Sequence, residues 1–229
     1  RNDQMQIVRS RGRDRLTGPF ITFEGGEGAG KSTVIEKLAT QLRNQGYEIV
    51  VTREPGGIRI SEQIRHIILH PDHTEMEERT EALLYAAARR QHLIEKVIPA
   101  LHSGKVVLCD RFIDSSLAYQ GYARGIGIEE VLKINKFAIN TYMPDLTLYL
   151  DISPEEGLRR IRQNENREVN RLDLEALDFH YRVYEGYERV MAMFPERVKR
   201  ICASQPVEEV VMSASKFVYE KINRKEGDE

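Results

Sequence analysis

The chain has 229 residues, 41% hydrophobic and 31% charged, a composition able to build a core and unlike that of a disordered chain. Its 34 basic and 36 acidic residues leave a formal net charge of −2, which argues against a duplex-DNA binder but leaves an anionic small molecule open, since that needs only a few placed Arg and Lys. Two cysteines, Cys109 and Cys202, cannot make a disulfide framework, and no apolar run approaches the ~20 residues of a membrane helix, so the expectation is a cytoplasmic protein with neither membrane nor nucleic-acid partner.

Residues 1–18, polar and without sustained period, read as an N-terminal arm or expression remnant outside the fold; its arginines suit a solvated terminus better than an anion-binding tail. From residue 19 short apolar runs alternate with helix-period stretches. The strand-like runs are 20–23, 48–52, 105–109, 146–150 and 198–202. The helical stretches are 31–44, 61–69, 74–102, 128–141, 154–164, 172–193 and 207–223. Ser153-Pro154 followed by Glu155 and Glu156 marks a capped helix start. Apolar strands separated by helices predict a three-layer α/β domain over 19–223, a five-stranded parallel sheet flanked by helices, with a polar tail at 224–229. Residues 159–171 are too polar to bury a face and, taken alone, read as a solvated loop ahead of a mobile lid.

The segment Gly25-Gly26-Glu27-Gly28-Ala29-Gly30-Lys31-Ser32 matches G-x-x-x-x-G-K-[ST], between a strand and a helix as that motif requires. Such a P-loop turns backbone N–H groups inward as an anion cradle at a helix N-terminus. Lys31 is the residue to reach the β- and γ-phosphates of ATP, Ser32 the one to coordinate Mg²⁺, and Thr33 completes the ATP-binding set. A GTPase is disfavoured, because Asn135-Lys136-Phe137-Ala138 lacks the Asp of a guanine motif and lies in a helical pattern. A kinase for a phosphate ester needs a second cationic cluster. Arg53 and Arg111 after strands, Arg65 on a helix and Arg89 and Arg90 within a longer one supply it, and the strand-end pair should share the crevice with the P-loop. Asp110 occupies the place of an acidic residue that holds Mg²⁺ through water, an ordinary strand-end Asp being the competing reading.

Together with Thr52-Arg53-Glu54-Pro55-Gly56-Gly57, Asp110-Arg111-Phe112-Ile113-Asp114-Ser115-Ser116-Leu117-Ala118-Tyr119-Gln120-Gly121 and Asn170-Arg171-Leu172-Asp173, the P-loop resembles the bacterial form of the thymidylate kinase family, from about residue 19 to residue 220. The resemblance, and nothing in composition or period, implies phosphorylation of dTMP to dTDP by MgATP in dTTP biosynthesis, by a homodimer packed through long helices. It implies that Arg53, Arg65 and Arg111 hold the dTMP phosphate, with Glu54 in the same pocket. Arg89 would bond thymine O4, Tyr85 would stack on the base, and Ser116 and Gln120 would read the remaining base edge. Tyr119 would crowd the sugar 2′ position and Glu27 would accept from the 3′-hydroxyl. Glu24 would stand in the outer shell of the Mg²⁺ held by Ser32 and Asp110.

Because Gly28 is not basic, the resemblance also turns the polar stretch into a lid at about 163–172 whose Arg167 and Arg171 join Lys31 and Arg111 as the catalytic set. Phe112 and Ala88 depart from residues frequent in the family, each removing one polar contact. On the residues alone, Tyr85, Ser116, Tyr119 and Gln120 pass as core or as an ordinary helix face. The rival functions are a kinase for another nucleoside monophosphate or a deoxynucleoside, and an ATP-binding regulatory protein with no acceptor.

Overall fold

The five apolar runs become five strands, β1 (Phe20–Glu24), β2 (Ile49–Arg53), β3 (Val106–Asp110), β4 (Leu146–Asp151) and β5 (Val198–Cys202). In the computed structural model, which describes residues 18–164 and 169–227, they form one parallel sheet in the order β2-β3-β1-β4-β5. Phe20 pairs with Val107 on one side of β1, and Ile21 with Leu146 on the other. Alternation along the strands feeds two cores. Ile21, Phe23, Leu108 and Leu148 pack on one face of the sheet with Leu38 and Val218, while Phe20, Val107 and Cys109 pack on the other with Leu93, Leu117 and Val131.

The helices are α1 (Lys31–Asn44), α2 (Arg59–Leu69), α3 (Glu78–His92), α4 (Ile98–His102), α5 (Ile113–Ser116), α6 (Ile128–Ile139), α7 (Pro154–Gln163), α8 (Leu177–Met193) and α9 (Val207–Gly227). Ser153 caps α7 through Glu156 N at 3.3 Å, with Pro154 in the first turn. Three expectations need correction. The helix expected over 74–102 starts at Glu78, because the Glu77 carboxylate caps Thr80 N at 2.9 Å. It also passes through a π-helical turn (Leu93–Val97) into α4, a join that carries the chain to Pro99, which has no N–H to offer an α-helical ladder. The helix expected from 172 begins at Leu177, because Asn170 Oδ1 takes the N–H groups of Leu172 and Asp173 into a side-chain turn.

One element was missing from the expected set. Residues 113–123 form α5 and a seven-residue π turn (Leu117–Ala123), buried almost throughout. Their polar side chains Asp114, Ser115, Ser116 and Gln120 face inward rather than to water, so the stretch shows no amphipathic period.

Candidate active site

The P-loop leaves β1, turns at Gly25 (φ 149°), Gly28 (φ 76°) and Gly30 (φ 88°), and enters α1 at Lys31. Gly28 has a second reason to be glycine: a Cβ there would lie 2.1 Å from the Gly157 carbonyl oxygen of α7. Lys31 is 8% exposed, and its ammonium donates to the carbonyls of Gly25 and Gly26 at 3.3 Å each. Burial, then the Arg111 charge, lowers its pKa to about 8. Ser32 Oγ donates to Asp110 Oδ2 at 3.1 Å, so the first residues of α1 meet the end of β3. Two hard oxygen donors this close beside a phosphate cradle fit a small divalent cation such as Mg²⁺.

The Glu24 carboxylate is fully buried and accepts from Phe112 N at 2.7 Å, from Ser115 and from Tyr187 Oη at 2.8 Å, three donors that fix it at the end of β1. Burial, then the Asp114 charge, raises its pKa to about 7.

A cavity of about 610 Å³ lies along the C-terminal ends of β1, β2 and β3. One wall is the P-loop from Glu27 to Thr33, continued by Arg160, Ala203 and Gln205, which the sequence reading did not assign. The other wall carries the arginines. Arg53 donates to both oxygens of Glu62 at 2.8 and 3.0 Å, and Arg65 donates to Pro55 O at 3.0 Å. Burial, then the Arg53 charge, lowers the pKa of Arg65, a like-charge juxtaposition that an anion would relieve. Arg111 donates to Gly25 O and to Glu27 Oε1, both at 2.9 Å, and its guanidinium lies 5.1 Å from the Tyr119 ring centre. Tyr119 Oη donates to the same Glu27 oxygen at 2.9 Å.

Tyr85, Arg89, Ser116 and Gln120 close the far end of the cavity. Arg89 is 2% exposed and most of its donors are committed: Nε to Glu54 at 2.7 Å, Nη1 to Ser116 and Asn135, and Nη2 to Phe112 O at 2.9 Å. Glu54 also meets His92 Nδ1 at 2.9 Å, so its carboxylate, at the edge of the cavity, is held between the Arg89 guanidinium and the His92 ring. Arg171 is not brought to the P-loop wall: it is bonded to Glu81, which also holds Gln120, and to Ile68 O at 2.8 Å. Arg167 lies outside the described residues. Glu81, Asn135, Ser115 and Tyr187 were not singled out from the sequence, where a buried polar residue in a helical run carries no mark of its partner.

The sequence model of the thymidylate kinase family matches residues 23–214. A thymidylate kinase of Oceanobacillus iheyensis is 64% identical over 211 residues, covering 92% of this chain and 94% of that protein. One of Clostridium novyi is 62% identical over 201 residues, covering 88% and 98%. The crystal structure of thymidylate kinase from Ehrlichia chaffeensis superposes with a TM-score of 0.72 at 31% identity, covering 88% of this chain and 98% of that one.

Proposed function

This chain belongs to the thymidylate kinase family, and we propose from that premise that it transfers the γ-phosphoryl group of ATP to dTMP, giving ADP and dTDP. The observation that carries the reading is a single cavity with a P-loop on one wall and arginines plus an aromatic, amide-bearing end on the other. The attacking oxygen already belongs to an anionic phosphate, so the reaction needs no general base. Catalysis then rests on alignment and on positive charge around the moving group.

In this mechanism Lys31 exchanges the carbonyls of Gly25 and Gly26 for the β- and γ-phosphates. Arg111, anchored to the P-loop through Gly25 and Glu27, spans the donor and acceptor phosphates, and Arg53 and Arg65 hold the acceptor. Tyr85 stacks on thymine, Arg89 donates its remaining N–H to O4, and Ser116 and Gln120 take the other base edge. Tyr119 stands against the sugar 2′ position and Glu27 accepts from the 3′-hydroxyl. Ser32 and Asp110 would hold Mg²⁺, which would supply charge neutralisation of the ATP phosphates when bound. Both cysteines are free, which fits a reducing cytoplasm.

A homodimer is the assembly that fits the surface. Exposed Ile60 and Ile67 on α2, Leu83 on α3, Ile94 in the π turn after it and Phe137 on α6 lie on helices packed side by side. Phe137 is 92% exposed, an arrangement that water disfavours and a second copy would cover.

The test is ADP formation from MgATP with dTMP, dUMP, dCMP, dGMP and thymidine in turn, beside a control without acceptor. Strong turnover with dTMP, weaker with dUMP and negligible with the rest is the expected pattern. Equal ADP formation with and without dTMP would leave an ATPase and remove the reading.

A further inference from the structure

Glu81 sits on α3 one turn before Tyr85, is 1% exposed, and takes no part in the transfer described above. A carboxylate at that depth requires compensation. Arg124 Nε reaches its Oε1 at 3.2 Å, and Arg171 is bonded to its Oε2. Both arginines are themselves anchored, Arg124 by Glu175 at 2.6 Å and Arg171 by Ile68 O at 2.8 Å. Burial pushes the Glu81 pKa up, but Arg124 first, then Arg171 and Gln120, pull it below the ordinary value.

The remaining group on Glu81 is Gln120, whose Nε2 donates to Oε1 at 2.9 Å. An ionised carboxylate only accepts hydrogen bonds, so the end of the amide that faces it must be the NH₂. The carbonyl Oε1 is thereby turned from Glu81, in a residue that lines the cavity with Tyr85, Arg89 and Ser116. A glutamine free to rotate by half a turn would offer a donor or an acceptor equally well. Here that choice is already made before any base arrives.

We propose that Glu81 is a positioning residue for base selection: held as a carboxylate by Arg124 and Arg171, it locks the Gln120 amide with its carbonyl toward the base, where it accepts from thymine N3–H and opposes a bare N3. The inference rests on the thymidylate reading. Thymine and uracil both carry N3–H, so the device separates them from cytosine and leaves the 5-methyl group to be read elsewhere. Cytosine would set its N3 lone pair against Oε1, acceptor facing acceptor, with both buried groups unpaired.

The experiment compares kcat/KM for dTMP and for 5-methyl-dCMP, which share the sugar, the phosphate and the 5-methyl group. It uses the unaltered chain, Glu81→Gln, Gln120→Met and the double variant. A neutral amide at 81 can face Gln120 with either end, so Glu81→Gln should shrink the preference for dTMP by about tenfold or more, chiefly through a higher KM for dTMP with kcat changed by less than about threefold. In the Gln120→Met background the same change should have no further effect. An unchanged preference in folded Glu81→Gln, or an equal loss with and without Gln120, would overturn the proposal. The unaltered chain gives a reading that needs no variant to fold: 3-deaza-dTMP, with C–H in place of N3–H, should lose about tenfold in kcat/KM, and equal use of the two would also overturn it. No turnover of dTMP by the unaltered chain would instead remove the functional reading on which this rests.

Discussion

Arg111 holds a left-handed backbone, φ 69°, that disfavours a non-glycine residue by about 1–2 kcal/mol. Its surroundings impose that conformation: its own N–H donates to Phe23 O at 2.9 Å while its guanidinium reaches Gly25, Ser115 and Glu27. A strained, charged residue tied to the P-loop is suited to stabilising the transferring group rather than to adding stability. Arg111→Ala is expected to lower kcat by roughly 10²–10³-fold with a cooperative unfolding transition retained, read by steady-state kinetics beside circular dichroism. Lys31 yields a pH prediction. Burial and Arg111 hold its pKa near 8 in the free protein, and bound polyphosphate favours the charged form. The charged form is present below pH 8 and lost above it, so ATP affinity should fall as pH rises through that value, and binding at pH 8 to 9 should take up a proton. Calorimetry in buffers of different ionisation enthalpy measures that uptake, and none at pH 8.5 would contradict it.

At the scale of elements, the P-loop and α7 touch through glycines. A Cβ on Gly157 would lie 2.2 Å from the Glu27 carbonyl oxygen, as one on Gly28 would meet Gly157. Both contacts are backbone, so neither can yield without moving the loop. On helix propensity alone Gly157→Ala should stabilise α7 by about 1 kcal/mol. The contact predicts the opposite: a lower melting temperature and a KM for ATP raised about tenfold, with KM for dTMP much less affected, since a 1 Å displacement of a positioning element weakens alignment. This close approach also accounts for Gly28 where a larger side chain would otherwise fit the motif. The stretch 113–123 teaches the complementary lesson. Asp114 is bound bidentately by Arg197 at 2.7 Å and Gln120 by Glu81, so its polar residues are buried in the core or against the cavity, and a period-based reading passes over it.

At the scale of the molecule, the three adjacent helices α2, α3 and α6 expose their apolar side chains on the layer opposite α1 and α9. Phe137→Glu places a charge where a second copy is expected. The expected outcome in light scattering is a dimer mass for the unaltered chain and a monomer mass for the variant, with the melting transition still cooperative; a monomer mass for the unaltered chain, or the same mass for both, would count against the proposed interface.

The sequence by itself determined the five parallel strands and the P-loop, because short continuous apolar runs and the glycine-lysine-serine spacing are local properties legible in a few consecutive residues. It also marked Arg53 and Arg111, since strand ends beside a P-loop are predictable positions, and Arg65 on the helix that follows Arg53. The strand order, the hydrogen-bond partners of Glu24 and the arrangement of Arg171, Glu81 and Gln120 were decided only by the tertiary structure. Those pairings join residues 39 to 163 positions apart, and buried polar groups choose partners by the geometry of packing, which no local period records.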